Sequence, residues 1–180
     1  LVPAISMRFW AEERKSGTIE LLFTLPVSIG QLIIGKYLAG WVFIAIALLA
    51  TTPFWLMVSY LGDPDHGVII ASYIGSFLLA GGYLAIGSYI SALSTNQITA
   101  FIVTIVSCFA MTISGFPVIH EFLEFLPQFL LNFISNISFL TNFTQIIKGV
   151  IDLRYISFFM TFIILMIYLN NIALSNIKEK

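Results

Sequence analysis

The chain has 180 residues, of which 59% are hydrophobic, 15% aromatic and only 9% charged, and its mean hydropathy is +0.99. A soluble domain carries about 25% charged residues, so this composition excludes soluble, fibrous and disordered proteins and indicates a membrane protein. The net charge of −1 offers no basic surface for nucleic acid, and the single Cys108 permits no internal disulfide.

The first residues do not look like the start of a protein. They have neither an initiator Met nor the ordered regions of a signal peptide. We expect residues 1–14 to be the cytoplasmic end of a span whose beginning is missing from the sequence.

A short helix is predicted over residues 17–25. Gly17 should end the incoming helix, and Gly17 or Thr18 can cap a new one with Glu20 near its positive end. Pro26 disfavours helical geometry at the residue before it. The new helix is therefore limited to about two turns, too short to cross a bilayer.

This short helix carries three apolar side chains, Ile19, Leu22 and Phe23, on one face. Such a helix, held between two membrane helices, has the shape that docks into a groove of another protein. The same spacing also suits a helix that rests on lipid headgroups. Spacing alone does not separate the two interpretations.

Charge-free runs predict four spans, since a bilayer requires about 20 apolar residues. The predicted spans are residues 29–61, which are charge-free from residue 37 onward, 68–93, 98–119 and 155–177. Ser28 and Gln31 match a capping box at the start of the first span, and Lys36 is expected to snorkel back to the interface. The polar run at residues 94–97 is the predicted turn between the second and third spans.

Small residues follow one side of the second span, namely Ala71, Gly75, Gly82 and Ala85. Small side chains let membrane helices approach closely. We interpret them as ordinary bundle packing, with a dimer-forming face as the alternative.

Lysine and arginine residues are distributed unequally between the two sides. Four crossings group residues 8–36, residues 94–97 and the C-terminal tail on one side, with six Lys and Arg residues against two on the other, Lys148 and Arg154. Flanking Lys and Arg resist translocation, so the first side is predicted to be cytoplasmic.

Residues 121–152 contain a further charge-free stretch but are not counted as a span. A crossing there would place the C-terminal lysines outside, against the charge rule. Apolar and polar residues recur on separate helical faces. We predict an extracytoplasmic pair of amphipathic helices that lie at the outer surface or dip in and out.

Catalytic signatures are absent from the sequence. Residues 30–36 fit the glycine and lysine spacing of a phosphate-binding loop, but Tyr37 stands where a small hydroxyl is needed and no strand precedes the segment. His66 and His120 fall in predicted outside loops. We therefore expect no enzyme activity, metal or cofactor in this chain.

Apart from Lys36 near the start of the first span, the predicted spans contain no Lys, Arg, Asp or Glu, although ion-coupled carriers usually keep a charged residue at membrane depth. Energy is more plausibly supplied from outside the bundle, which favours docking by the short helix.

Several motifs together resemble the type-2 permeases of ATP-binding-cassette (ABC) transporters. The hallmark segment comprises Glu12-Glu13-Arg14, Gly17-Thr18-Ile19-Glu20-Leu21-Leu22, Pro26-Val27-Ser28 and Gly35-Lys36-Tyr37-Leu38. Downstream motifs resemble the branch associated with gliding motility and nitrous-oxide-reductase maturation. They are Tyr73-Ile74-Gly75, Ala85-Ile86-Gly87, Ser91 to Ile98 and Gly149 to Arg154.

This resemblance implies an all-α, six-span exporter permease of the bacterial inner membrane, with the first span and much of the second missing here. It implies a dimer with a second copy or a paralogue, and a coupling helix at residues 17–25 that contacts a separate ATPase subunit. The implied contact residues are Glu12, Glu13, Gly17, Thr18, Ile19, Glu20, Leu22, Phe23 and Pro26. A membrane scaffold that docks an ATPase but passes no solute is the alternative function, and an integral membrane enzyme is the least favoured one.

Overall fold

A computed structural model describes residues 1–24, 26–116, 127–149 and 152–178, with the side chain of Phe23 left out. These residues form helices and no strands, which confirms the predicted all-α polytopic bundle. The helices are α1 (Val2–Ser6), α2 (Ala11–Ser16), α3 (Ile19–Thr24), α4 (Ile29–Leu49), α5 (Thr52–Leu61), α6 (His66–Leu93), α7 (Gln97–Ile113), α8 (Gln128–Ile137), α9 (Phe139–Ile146) and α10 (Leu153–Lys178).

The N-terminal segment, predicted to be the end of one span, consists of two short helices in the structure. Residues 1–14 form α1 and α2 with a bend between them, and α2 ends at Gly17, whose φ of 72° lies in the left-handed region. Glycine adopts this conformation without the clash that a Cβ would cause. Gly17 thus ends the helix as predicted, and α3 follows.

Three stretches are long and apolar enough to cross a membrane: Ile29–Leu61, His66–Leu93 and Leu153–Lys178. The first is two helices, α4 and α5, with Pro53 in the first turn of α5. At its start the predicted capping box is present, since the Gln31 N–H donates to Ser28 Oγ at 3.3 Å and the Ser28 N–H donates to Gln31 Oε1 at 3.1 Å. The shorter α7 is apolar as well, and the predicted span 98–119 extends beyond the described residues.

Helix α6 is the centre of the bundle and packs against α1, α4, α7, α9 and α10. Its small residues allow these contacts, because a Cβ on Gly82 would lie 2.8 Å from Phe139 and one on Gly75 would lie 3.1 Å from Ile146. Ala71 and Ala85 are buried within the same chain. These four residues therefore serve bundle packing rather than a dimer face.

The predicted amphipathic pair appears as α8 and α9. Helix α9 is inserted into the bundle, where the buried Phe139 ring packs 4.9 Å from Phe162 and 5.3 Å from Tyr83 between ring centroids. Helix α8 buries no residue and exposes Phe129 and Phe133. The pair dips into the bundle through α9 alone, and residues 121–126 and 150–151 of the predicted segment lie outside the described residues.

The helices that the count of Lys and Arg residues places on one side of the membrane also meet at one end of the bundle. Trp10, Ile19, Ile33, Ala92 and Leu174 form one buried cluster there, joining α3 and the start of α4 to the ends of α6 and α10. The 94–97 turn follows α6 at this end. Among the described residues, Arg14, Lys15, Lys36 and Lys178 of the larger basic group therefore lie at this one end.

We expect this end to face the cytoplasm, since it holds the excess of Lys and Arg. On a Cys108→Ala background, cysteine at Asn132 should react with an impermeant maleimide from outside, whereas cysteine at Thr95 or Lys180 should react only after the membrane is opened. Labelling of position 180 from outside would contradict the four-crossing topology.

Candidate functional site

The bend between α1 and α2 is held against the end of α6 by one hydroxyl group. Ser91 Oγ accepts hydrogen bonds from the backbone N–H groups of Trp10, at 3.0 Å, and Ala11, at 3.1 Å. The same hydroxyl donates to the Met7 carbonyl at 3.1 Å. Backbone groups left free by the bend are thus paired, because a buried unpaired N–H or C=O is costly. This pairing explains why the first fourteen residues break into two helices.

A second contact fixes α2 to the last turn of α6. Arg14 Nη1 donates to the Ala92 carbonyl oxygen at 2.8 Å. Carbonyls in the last turn of a helix have no partner within the helix, and cations there also interact favourably with the helix dipole. Two contacts with α6 therefore fix the position and direction of α2: Ser91 binds its first residue, Ala11, and Ala92 binds Arg14.

Lys36 joins the same region to α4. Its ammonium group is paired with Glu13, donates to the Phe9 carbonyl at 2.6 Å and lies 4.2 Å from the centre of the Trp10 ring. The side chains of Lys36 and Glu13 are each only 25% exposed. A carboxylate, a carbonyl and an aromatic face therefore satisfy the ammonium within the protein, contacts that the predicted snorkelling of Lys36 did not include.

Helix α3 turns its predicted docking face partly toward the bundle. Ile19 is buried in the cluster described above and Leu22 is half-buried, whereas Leu21 is 66% exposed. Residues three apart share a helical face, so Leu22 follows Ile19 inward and Leu21 points outward. Ile19 is thus a buried residue of the bundle, and the exposed Leu21 is an apolar side chain that the predicted set did not include.

The other residues of the predicted docking set are placed in two ways. Glu13 faces Lys36 and is a structural residue here. The outward surface of the segment is formed by the exposed residues Glu12, Lys15, Ser16, Gly17, Thr18, Glu20, Leu21, Thr24, Pro26 and Val27. The side chain of Phe23 and residue Leu25 lie outside the described residues. We define the exposed set as the α3 surface.

The α3 surface has the chemistry of a protein contact. Leu21, the most exposed large apolar side chain among the described residues of this segment, stands among two carboxylates, Glu12 and Glu20, the Lys15 ammonium and neutral groups. An apolar anchor with a polar rim is typical of protein interfaces.

Residues 30–36 contain no phosphate-binding loop. They lie within α4, a regular helix, so their backbone N–H groups cannot form a cradle for phosphate. The lysine of the apparent motif is engaged by Glu13. Among the described residues, no group of three or more His, Cys, Asp or Glu side chains could hold a metal ion.

Comparison with known proteins gives one match. Residues 3–175 match the family described as ABC-2 family transporter protein. No curated protein and no solved structure matches the chain.

Proposed function

Because the chain belongs to the ABC-2 transporter family and is the membrane-spanning permease part of such a transporter, we propose that a separate ABC ATPase subunit drives it through α3. The observation that carries the proposal is the α3 surface, which presents Leu21 at the end of the bundle where α4 begins and α6 ends. The chain contributes no ATPase chemistry and needs no cofactor of its own.

The attachment of α2 and α3 suits the transmission of force. Ser91 and Ala92 bind the segment to α6, and Lys36 binds it to α4. A displacement at Leu21 would move α4 and α6 together, because polar contacts at three points hold the segment rigidly against them. Rigid-body movement of packed helices is an established way to switch a transporter between states.

The assembly we propose is a dimer in the bacterial inner membrane that exports its substrate. A second copy or a paralogue would supply the other half of the translocation path. Large apolar side chains on α5, such as Phe54 and Tyr60, are exposed in the single chain and would be covered by lipid or by that second half.

Replacing Leu21 with aspartate should separate the permease from its ATPase. The change places a charge at the centre of the contact, where burial without a partner costs about 2 kcal/mol or more of binding free energy. Co-purification of the co-expressed ABC ATPase with the tagged permease measures the loss.

The matched control is Leu93→Asp. Leu93 is 56% exposed at the same end of the bundle but lies on α6 rather than on α3. We expect this variant to retain the ATPase. Equal retention by both variants would show that α3 rests on lipid and would refute the docking proposal.

A further inference from the structure

Arg154 stands at the start of α10, at the end of the bundle opposite to α3. It lines a cavity of about 310 Å³ together with Asn136, Thr141, Gln145 and Tyr155, among others. This cavity lies between α10 and the α8–α9 pair. It is small and partly open, and its lining combines polar side chains with the aromatic rings of Tyr155 and Phe158.

A second cavity, of about 480 Å³, continues from the first. It shares Arg154 and Phe158 with it, and its remaining wall includes Ile137, Phe162 and Leu165. From Arg154 to Leu165 the groove follows α10 for about 16 Å at 1.5 Å per residue. That length equals about half of the 30 Å hydrocarbon core, or one leaflet.

The hydrogen-bonding groups that line the first cavity favour an anion. The Arg154 guanidinium is exposed, and its neighbour Asp152 accepts from the Arg154 backbone N–H at 2.9 Å. Within the described residues, Arg154 forms no ion pair and no carboxylate lines the cavity. Gln145 accepts from Lys148 at 3.1 Å through its oxygen, which leaves its amide NH₂ to donate.

The hydroxyl groups of Thr141 and Tyr155 can donate as well. One cation and three neutral donors around a small cavity match a phosphodiester group. The apolar groove that continues from Arg154 matches an acyl chain in length and in chemistry. Neither cavity alone would select an amphipathic molecule, whereas the two joined at Arg154 would.

We propose that the joined cavities bind a phospholipid from the adjacent leaflet, with its phosphate at Arg154 and one acyl chain along α10. This site lies apart from the α3 surface and does not depend on the ATPase contact. A loss of lipid binding would therefore leave the proposed coupling intact, and a loss of coupling would leave the lipid site intact.

Native mass spectrometry of the full chain in a neutral detergent, with added dioleoylphosphatidylglycerol, measures binding directly. Arg154→Gln should weaken lipid retention about tenfold, the effect expected on losing a charge-assisted contact. The charge-matched control is Lys15→Gln, since Lys15 is exposed on α2 at the opposite end of the bundle and lines neither cavity. We expect that variant to retain the lipid.

The acyl-chain part of the site has its own variant. Thr161 lines the groove, so Thr161→Trp should fill it and displace the lipid, whereas Ile164→Trp, on the same helix but outside the groove, should not. Both variants keep Arg154.

Two further probes identify the ligand. Dioleoylglycerol, which has the chains but no phosphate, should bind weakly, and inorganic phosphate alone should not displace the phospholipid. Equal binding of dioleoylglycerol, or full competition by inorganic phosphate, would overturn the proposal. Equal retention by Arg154→Gln and Lys15→Gln would also overturn it.

Discussion

Replacing Gly87 with leucine should destabilise the bundle by about 3 kcal/mol, the upper end of the usual cost of overpacking. A Cβ at this position would lie 2.0 Å from Ser6 Oγ, 2.5 Å from Ser6 Cβ and 3.0 Å from Thr104 Cγ2. Ser6 and Thr104 are both buried. Helix α1 would therefore have to move away from α6, and its contact with α7 would open as well.

Gly35→Leu is the matched control, because a Cβ at Gly35 meets nothing within 4 Å. Leucine favours a helix over glycine by about 0.8 kcal/mol in water, so the control should be neutral or slightly stabilised. Thermal unfolding in detergent compares the two variants. If Gly87→Leu unfolds at the temperature of the control, α1 does not pack on α6 as described.

Replacing Lys36 with glutamate should release α2 from α4. Two carboxylates would then face each other next to the Phe9 carbonyl, in a site where both side chains are only 25% exposed. Breaking a fully buried pair costs about 3 to 5 kcal/mol, and partial exposure lowers the expected cost to about 2 kcal/mol. The free energy of unfolding measures this cost.

The exchanged pair Glu13→Lys with Lys36→Glu should recover part of the loss, since opposite charges face each other again. Lys36→Arg should cost less than the reversal but remain measurable, because a planar guanidinium fits the carbonyl and the Trp10 face differently from an ammonium. An unchanged stability of Lys36→Glu would show that the side chain snorkels to the interface after all.

The sequence predicted those features that depend on neighbouring residues. Gly17 ends a helix because of its own backbone freedom, and Ser28 with Gln31 forms a cap across one turn. Runs of apolar residues, without further information, indicated the three long stretches that could cross a membrane.

Features that depend on distant contacts were not predictable in this way. Ser91 pairs with backbone groups 80 or more residues earlier, and no local pattern marks it. Lys36 was predicted to be an interfacial lysine, because its partner Glu13 lies 23 residues earlier and no local sequence pattern links the two. Which face of α3 turns inward was also not predictable from local sequence, since burial of Ile19 depends on the distant helices α4, α6 and α10.

The most direct test of the proposed coupling is a photo-crosslinker placed at position 21 of the permease in native membranes. Because Leu21 is the exposed apolar anchor of the α3 surface, irradiation should link this position to an ABC ATPase, and the same crosslinker at Leu93 should not form that product. A crosslinker at position 21 that reacts with lipid and never with an ATPase would contradict the account.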